Sequence, residues 1–211
     1  MAKRIFDLTV AVIVLLMMSP LMAALALRVK LDSPGPIFYR GTRVGYQGQL
    51  FRIFKYRTMV ADAESIGGLS SAEGDVRVTR SGRFMRKHKL DELGQLFNVI
   101  KGDMSLVGPR PEVQHYVKMF TEEELEILSV RPGMTDWASL WNSDEGSILA
   151  GRSDPEKVYL EDIRPTKLKL QLLYVRNRSW WTDVVIIFKT IRTLVRSRAG
   201  GPSNLPEGVG H

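Results

Sequence analysis

The sequence predicts an α+β, mainly helical protein: an N-terminal re-entrant membrane helix, a small β-hairpin, and amphipathic surface helices around a central helix. Three observations carry that prediction. Leu8 to Leu27 has no charged residue and matches the roughly 20 residues that cover a bilayer core. Ile37 to Val44 and Leu50 to Tyr56 carry aromatic and β-branched residues on either side of Gly45-Tyr46-Gln47-Gly48, the pattern of a hairpin with a four-residue loop. Leu90, Leu93, Phe97 and Ile100 fall at i, i+3, i+7 and i+10, one apolar stripe of an amphipathic helix.

Both flanks of the first segment are basic, with Lys3 and Arg4 before it and Arg28 and Lys30 after it. Under the positive-inside rule both ends then prefer the cytoplasmic side. Ser19-Pro20 interrupts the run near its middle, where proline removes a backbone donor and kinks a helix. A kinked helix that enters and returns through one leaflet satisfies both observations better than a simple spanning helix. A cleaved signal peptide fits less well. The run is long for its apolar region, and no small-residue cleavage site precedes Arg28.

Ser33-Pro34-Gly35-Pro36 reads as a turn leading out of the membrane segment into the hairpin. Lys55 and Arg57 project from the second strand, either as an ordinary exposed face or as ligand contacts. Ala61 to Arg80 is polar and rich in Gly and Ser, a mobile loop over a site. Val113 to Val130 reads as helical, with Thr121 as N-cap before Glu122-Glu123-Glu124. Arg131-Pro132-Gly133 opens a loop with Asp136, Trp137 and Trp141, the tryptophans reading as packing residues. Ser153-Asp154-Pro155-Glu156 starts another helix. Lys167 to Arg196 reads as a helical region whose Trp180, Trp181, Ile187 and Phe188 alternate with Lys189 and Arg192. Aromatic and basic residues around an apolar face suit a membrane surface. The expected division is 1–30 for the membrane helix, 31–199 for a cytoplasmic catalytic domain and 200–211 for a disordered tail.

Composition narrows the chemistry. The 211 residues suit one domain plus an attachment, and 44% hydrophobic content is enough for a core. With no cysteine, a disulfide framework, a thiolate metal site and a cysteine nucleophile are all excluded. A net charge of +7 favours a polyanionic partner: nucleic acid, an anionic membrane face or a phosphorylated substrate. No GxxxxGK[ST] or GxGxxG pattern occurs, which argues against a P-loop or Rossmann phosphate site. His88, His115 and His211 lack a metal-ligand spacing. Oxygen ligands remain, and these point to Mg²⁺ and a phosphate-bearing substrate.

The stretch from Lys87 to Glu112, KHKLDELGQLFNVIKGDMSLVGPRPE, concentrates the candidates for that chemistry. Asp91 and Glu92 sit at the head of the apolar stripe. Arg83, Arg86, Lys87, His88 and Lys89 precede them as a cationic cluster on the N-terminal side of the helix, opposing its dipole unless an anion compensates. Gly102 ends the helix. Pro109 and Pro111 then stiffen the backbone that presents Arg110. A stiff arginine, a basic cluster and two adjacent carboxylates suit phosphate chemistry with a metal. A solvated charged helix followed by a proline turn has the same spacing.

LDELGQLFNVIKGDMSLVGPRPE resembles the signature of the bacterial sugar transferases, the monotopic phosphoglycosyl transferases. KRIFDL, the Ser-Pro pair, DSPGPIFYR, FKYRTM, RPGMT and YVRNRSWWTD resemble other parts of that family in the same order, from Lys3 to about Arg196. The resemblance implies a re-entrant helix hinged at Ser19 and Pro20. It also implies transfer of a sugar-1-phosphate from a UDP-sugar to a polyprenol phosphate such as undecaprenyl phosphate, with release of UMP. This is the first membrane step of bacterial glycoconjugate synthesis, on the cytoplasmic face of the inner membrane. Asp91 is then the nucleophile of a phospho-aspartyl intermediate on a catalytic helix, and Glu92 the ligand of Mg²⁺. Arg86 and Arg110 clamp phosphoryl oxygens, with Lys55, Arg57 and Arg131 as further substrate contacts. The implied partners are the nucleotide sugar, the polyprenol phosphate and membrane lipid, not nucleic acid.

Three positions depart from the family's pattern. Gly94 stands where proline is frequent, Asp136 to Gly146 replaces a G-W-A-Q-V-N-G-R run, and Gln171 stands where an acidic residue is expected. With no membrane bundle before Lys3, the chain resembles the minimal, single-domain members. Two other functions share the charge and the apolar segment: a non-enzymatic, basic membrane-attached binding protein, and a hydrolase of pyrophosphate-linked substrates. The first gives Asp91-Glu92 no role inside a basic cluster. The second differs in using water as acceptor.

Overall fold

The computed structural model describes residues 1–63, 74–142 and 154–196. Its first element is helix α1, Ala2–Asp32, long and apolar enough to cross a membrane by length and composition. Asp7, Ala11, Met22, Leu25 and Val29 are buried at helical spacing, so one face of α1 packs on the rest of the protein on both sides of Pro20. Ile5, Val12, Ile13, Leu16, Met17, Leu27 and Leu31 remain exposed. The helix continues through Pro20. Proline has no N–H to give the Leu16 carbonyl, and Ser19 Oγ donates to that carbonyl instead, at 2.8 Å.

The amino end of α1 is fixed by polar contacts. Lys3 Nζ pairs with Asp183 Oδ2 at 2.6 Å. Arg4 donates to the carbonyls of Val99 at 2.7 Å and Ile100 at 3.1 Å, a cation at a helix C-terminus where the dipole favours it. Buried Asp7 accepts from Ser105 Oγ at 2.8 Å.

The expected hairpin is present in interrupted form. Strands β1 (Phe38–Tyr39), β2 (Thr42–Val44), β3 (Leu50–Arg52) and β4 (Lys55–Tyr56) pair antiparallel, β2 with β3 and β1 with β4. Val44 faces Leu50 across the turn and Phe38 faces Tyr56 at the open end.

Helix α2, Arg80–Lys87, is capped by Thr79, whose hydroxyl accepts from Gly82 N at 3.0 Å. The chain then departs from the expected single helix. Lys89 adopts φ +54°, a left-handed conformation uncommon outside glycine, and ends the basic segment. Leu90–Gly94 follows as a 3₁₀ turn and Gln95–Lys101 as helix α3. The cationic residues therefore sit on a helix of their own, not at the N-terminus of the dyad helix. The tighter 3₁₀ winding also shifts the apolar face: Leu96 and Val99 are buried, while Ile100, expected in the stripe, is exposed.

Gly102 closes α3 with φ +95°, the usual glycine cap. Strand β5, Ser105–Val107, pairs in parallel with β6, Gly133–Thr135; the segment holding β6 had read as loop. Between them lie a short helix α4, Gln114–Val117, and a 3₁₀ turn, Glu124–Ser129, in place of one longer helix. Thr121 caps that turn as expected. Its Oγ1 accepts from Glu124 N at 3.2 Å while Glu124 Oε2 accepts from Thr121 N at 2.8 Å, a reciprocal capping box.

Helix α5, Trp137–Trp141, precedes helix α6, Pro155–Val158, a π-turn at Tyr159–Ile163 and helix α7, Arg164–Asn177. Arg178 leaves helical geometry (ψ 131°), so the expected region from Lys167 to Arg196 divides there, and Trp180–Arg196 forms a separate helix α8. Ile186 is fully buried, whereas Trp181, Phe188, Ile191 and Val195 are exposed, an uncovered apolar face on α8. The Trp180 ring meets Phe6 of α1 edge-on at 4.5 Å. The main core joins Ala11, Leu96, Val99, Leu106, Tyr174 and Ile186, and a second cluster packs Met22, Leu25 and Val29 of α1 on Tyr56 and Met85. Trp137 packs on the first core and Trp141 on a cluster around Tyr116 and Tyr159. Most of the expected mobile loop, the end of the Asp136 to Gly146 run, Ser153 and the tail at 200–211 lie outside the described residues.

Candidate active site

The 3₁₀ turn sets Asp91 and Glu92 against strand β4. Gly94 lies tight against the segment entering that strand: a Cβ there would lie 2.9 Å from the Phe54 carbonyl oxygen. Buried Asn98 ties the same elements together. Its Oδ1 accepts from Phe54 N at 2.8 Å and its Nδ2 donates to Arg52 O at 2.9 Å. Lys55 then reaches Glu92, Nζ to Oε1 at 2.9 Å.

Arg110 arrives from the other side of the site. A Cβ on Gly108 would lie 2.5 Å from the Arg131 carbonyl oxygen, so glycine lets the turn after β5 press against the segment entering β6. Fully buried Asp136 accepts from Arg110 N at 3.2 Å and from Ser139 N at 2.7 Å as the cap of α5. Gln171, buried in α7, donates to Asp136 Oδ2 at 3.3 Å and to Arg110 O at 3.4 Å. A neutral amide can donate to an aspartate where a second ionised carboxylate could not. Held in this way, the Arg110 guanidinium forks onto both Glu92 oxygens, Nη1 to Oε2 at 3.2 Å and Nη2 to Oε1.

Arg86 comes from the last turn of α2. Its Nε donates to Thr58 Oγ1 at 2.9 Å, and its charge acts on Asp91. Asp91 is buried, at 9% exposure. Its pKa is raised: burial disfavours the ionised form and Glu92 adds repulsion, which outweighs attraction from Lys55, Arg86 and Arg110. Glu92 goes the other way. Burial acts to raise it as well, but Arg110 and Lys55 hold it well below the usual carboxylate range. Two adjacent carboxylates thus have opposite electrostatic roles, the kind of separation that assigns distinct chemical duties. Burial also lowers the pKa of Lys55, against the pull of Glu92.

Asp91, Glu92, Lys55, Arg86 and Arg110 are therefore brought together, as the sequence suggested. Arg57 and Arg131 are not. The Arg57 guanidinium is buried on backbone carbonyls at the end of α1, and Arg131 donates to Gly102 O at 3.0 Å while lying over the Tyr46 ring. His88 turns to the Phe84 ring, 4.8 Å away. The sequence reading missed Thr58, Asn98 and Asp136 as residues that position the site, and marked Gln171 only as a departure. The signal was available for Asn98 and Gln171, each a polar residue within an apolar run.

Mg²⁺ characteristically binds through one or two carboxylates plus substrate phosphate oxygens, and Asp91 with Glu92 is a donor set of that kind. Carboxylate oxygens carry further lone pairs beyond those used by Arg110 and Lys55. No group of three or more metal-ligating side chains gathers among the described residues.

A family model described as bacterial sugar transferase matches residues 1–197. The chain is 41% identical over 198 residues to the UDP-N-acetylgalactosamine-undecaprenyl-phosphate N-acetylgalactosaminephosphotransferase of Aeromonas hydrophila, covering 92% of this chain and 43% of that protein. It is 38% identical over 203 residues to the undecaprenyl-phosphate glucose phosphotransferase of Komagataeibacter xylinus, covering 93% and 36%. It is also 37% identical over 195 residues to the uncharacterized sugar transferase EpsL of Bacillus subtilis, covering 92% and 88%. The chain thus spans less than half the length of the first two relatives and most of the third.

Proposed function

The chain belongs to the bacterial sugar transferase family, and from that membership and the dyad's surroundings we propose that it transfers a sugar-1-phosphate from a UDP-sugar to undecaprenyl phosphate. The observation that carries the proposal is the contrast within the dyad, a buried Asp91 beside a Glu92 held by two cations. An Asp91 oxygen attacks the phosphorus bonded to the sugar, the pyrophosphate P–O bond breaks, and UMP leaves with that electron pair. A phosphate oxygen of the lipid then attacks the same phosphorus, and the acyl-phosphate bond breaks to restore the Asp91 carboxylate. Lys55, Arg86 and Arg110 neutralise phosphoryl oxygens as charge moves to the leaving group. Mg²⁺, held by Glu92 with Asp91 beside it, supplies further charge neutralisation when bound.

The two halves of α1 pack one face onto the same catalytic body. This supports a helix that enters and leaves one leaflet with both ends cytoplasmic, and so holds the dyad at the level of lipid phosphates. The relatives' names include N-acetylgalactosamine, glucose and galactose, which sets the donor panel. The test is to incubate purified protein with each UDP-sugar, Mg²⁺ and undecaprenyl phosphate, then follow UMP, the lipid product and the intact mass of quenched enzyme. Lipid-linked sugar with a transient adduct of one sugar phosphate on wild type, absent from Asp91→Asn, is the expected result. Release of UMP and free sugar phosphate without lipid acceptor identifies a hydrolase instead.

A further inference from the structure

Tyr56 and Arg57 directly follow Lys55, yet both turn away from the dyad toward α1. The buried Tyr56 hydroxyl donates to the Met22 carbonyl at 2.8 Å. Burial pushes its phenol up to about 12, so the donor persists at every physiological pH. The Arg57 guanidinium lies at 6% exposure and donates to three carbonyls at the carboxyl end of α1 and just beyond it: Val29 at 3.4 Å, Ser33 at 2.8 Å, and Pro34. Val29 O is a last-turn acceptor of α1 that also takes Ser33 N at 3.4 Å, and a cation at this end of the helix complements the dipole. On either side of this pair the chain returns to the site, Lys55 to Glu92 and Thr58 to Arg86. Four consecutive residues therefore grip Glu92 and Arg86 of the site at their two ends and helix α1 in the middle.

We propose that Tyr56 and Arg57 are positioning residues that lock the second half of α1 to the strand bearing Lys55, and so fix the height of the dyad relative to the lipid acceptor. The kinetic part of this inference rests on the proposed transfer to a membrane lipid; the mechanical part does not. The first half of α1 has separate anchors in Lys3, Arg4 and Asp7. Pro20 lies between the two sets, where one backbone hydrogen bond is missing. Without the Tyr56 and Arg57 contacts, the segment after Pro20 keeps its apolar packing and its contacts to α2 through Arg28 and Asp32 but loses its directional restraints to the strand bearing Lys55. A water-soluble donor reaches the dyad regardless of that segment. A lipid acceptor, confined to one depth, does not.

The absence of cysteine permits a clean label pair: Leu27→Cys on the exposed face of α1 and Lys118→Cys on the exposed surface near α4. Spin-label distance distributions are measured in lipid nanodiscs for the parent and for Tyr56→Phe, Arg57→Met and Arg57→Lys. The parent should give one narrow distribution, Tyr56→Phe and Arg57→Met a broad one, and Arg57→Lys an intermediate one. In unlabelled enzyme the acceptor KM should rise about tenfold, the scale of one lost charge-assisted hydrogen bond, with the donor KM unchanged. A distribution that stays narrow in Tyr56→Phe and Arg57→Met overturns the proposal, as does an equal rise in both KM values. If Arg57→Met does not fold, Tyr56→Phe decides, since it removes one atom. Broad distributions alongside a parent enzyme that transfers nothing to undecaprenyl phosphate overturn the proposed function and leave the coupling standing.

Discussion

Arg110 holds both oxygens of Glu92, Nη1 donating to Oε2 at 3.2 Å and Nη2 to Oε1, while among the described residues no such fork is made to the neighbouring Asp91. The difference begins in the backbone. Asp136 and Gln171 fix the main chain of Arg110, and the 3₁₀ turn sends adjacent side chains in directions about 120° apart. One carboxylate is thereby neutralised by fixed cations, and the other is buried with incomplete compensation. The first suits a charge-organising role and the second an attacking one.

Opposite effects on stability follow from this contrast. The Asp91 pKa is raised above its ordinary 3.8, so its contribution to stability is full below that value and is lost as pH rises through the folded-state pKa. Glu92 is lowered from 4.5, so its contribution is full above that value and is lost as pH falls through its folded-state pKa. At pH 7, Asp91→Asn should stabilise the protein by about 1 kcal/mol, and Glu92→Gln should destabilise it by about 1–2 kcal/mol. Thermal unfolding in detergent checks the signs. Shifts of the same sign in the two variants would refute the electrostatic assignment.

Arg110→Lys keeps the charge but loses the two-armed fork. The expected loss in kcat/KM is about 100-fold, or roughly 2.7 kcal/mol of transition-state stabilisation. Arg176 offers an exposed control, since it also makes a forked contact, through Nε and Nη2 to Glu126 at 3.0 and 2.9 Å, and pairs with Glu123. Arg176→Lys should change kcat/KM less than twofold, because exposed pairs contribute little. Equal losses in the two variants would mean that Arg110 is only a turn residue.

Local signals in the sequence went far toward this site. The hairpin, the Thr121 cap, the Gly102 stop, the dyad and the proline-stiffened Arg110 each depend on residues within a few positions of one another. The β5–β6 pair was not legible, because Ser105–Val107 and Gly133–Thr135 are too short to show a period and meet only through tertiary packing. The division at Lys89 was hidden because a left-handed lysine has no sequence signature comparable to glycine. Lys55 and Arg57 share a face only if the strand continues, but β4 ends at Tyr56, and Arg57 is free to turn to α1. Gln171 departs from the family's pattern in sequence, and its partner Asp136 lies 35 positions away, beyond any local signal.

Membrane topology can be tested at the two ends of α1. Lys3 and Arg4 contact α8 and α3 while Arg28 donates to Ser81 Oγ on α2 at 3.1 Å, so both ends of α1 are tied to the body that carries the dyad. Ala2→Cys and Leu31→Cys, both exposed positions, should react with a membrane-impermeant maleimide only from the cytoplasmic side of sealed vesicles. Labelling of the two from opposite sides would establish a spanning helix.

The pH dependence of the first half-reaction tests the nucleophile itself. Asp91 must be ionised to attack phosphorus, and burial raises its pKa despite Lys55, Arg86 and Arg110. The acidic limb for single-turnover UMP release should therefore lie above 3.8, the ordinary aspartate value, with activity rising as pH rises through the limb. Lys55→Met removes the cation with the largest effect on Asp91 and also leaves Glu92 less neutralised, so the limb should move up. Glu92→Gln removes a like charge and frees Lys55 to face Asp91, so the limb should move down. Both variants will be slow, but the midpoint of the limb does not depend on amplitude. Opposite displacements are the expected signature of a buried nucleophile poised between a cation and an anion. A limb fixed at one pH in all three proteins would assign the ionisation to another group, and with it the attack on phosphorus.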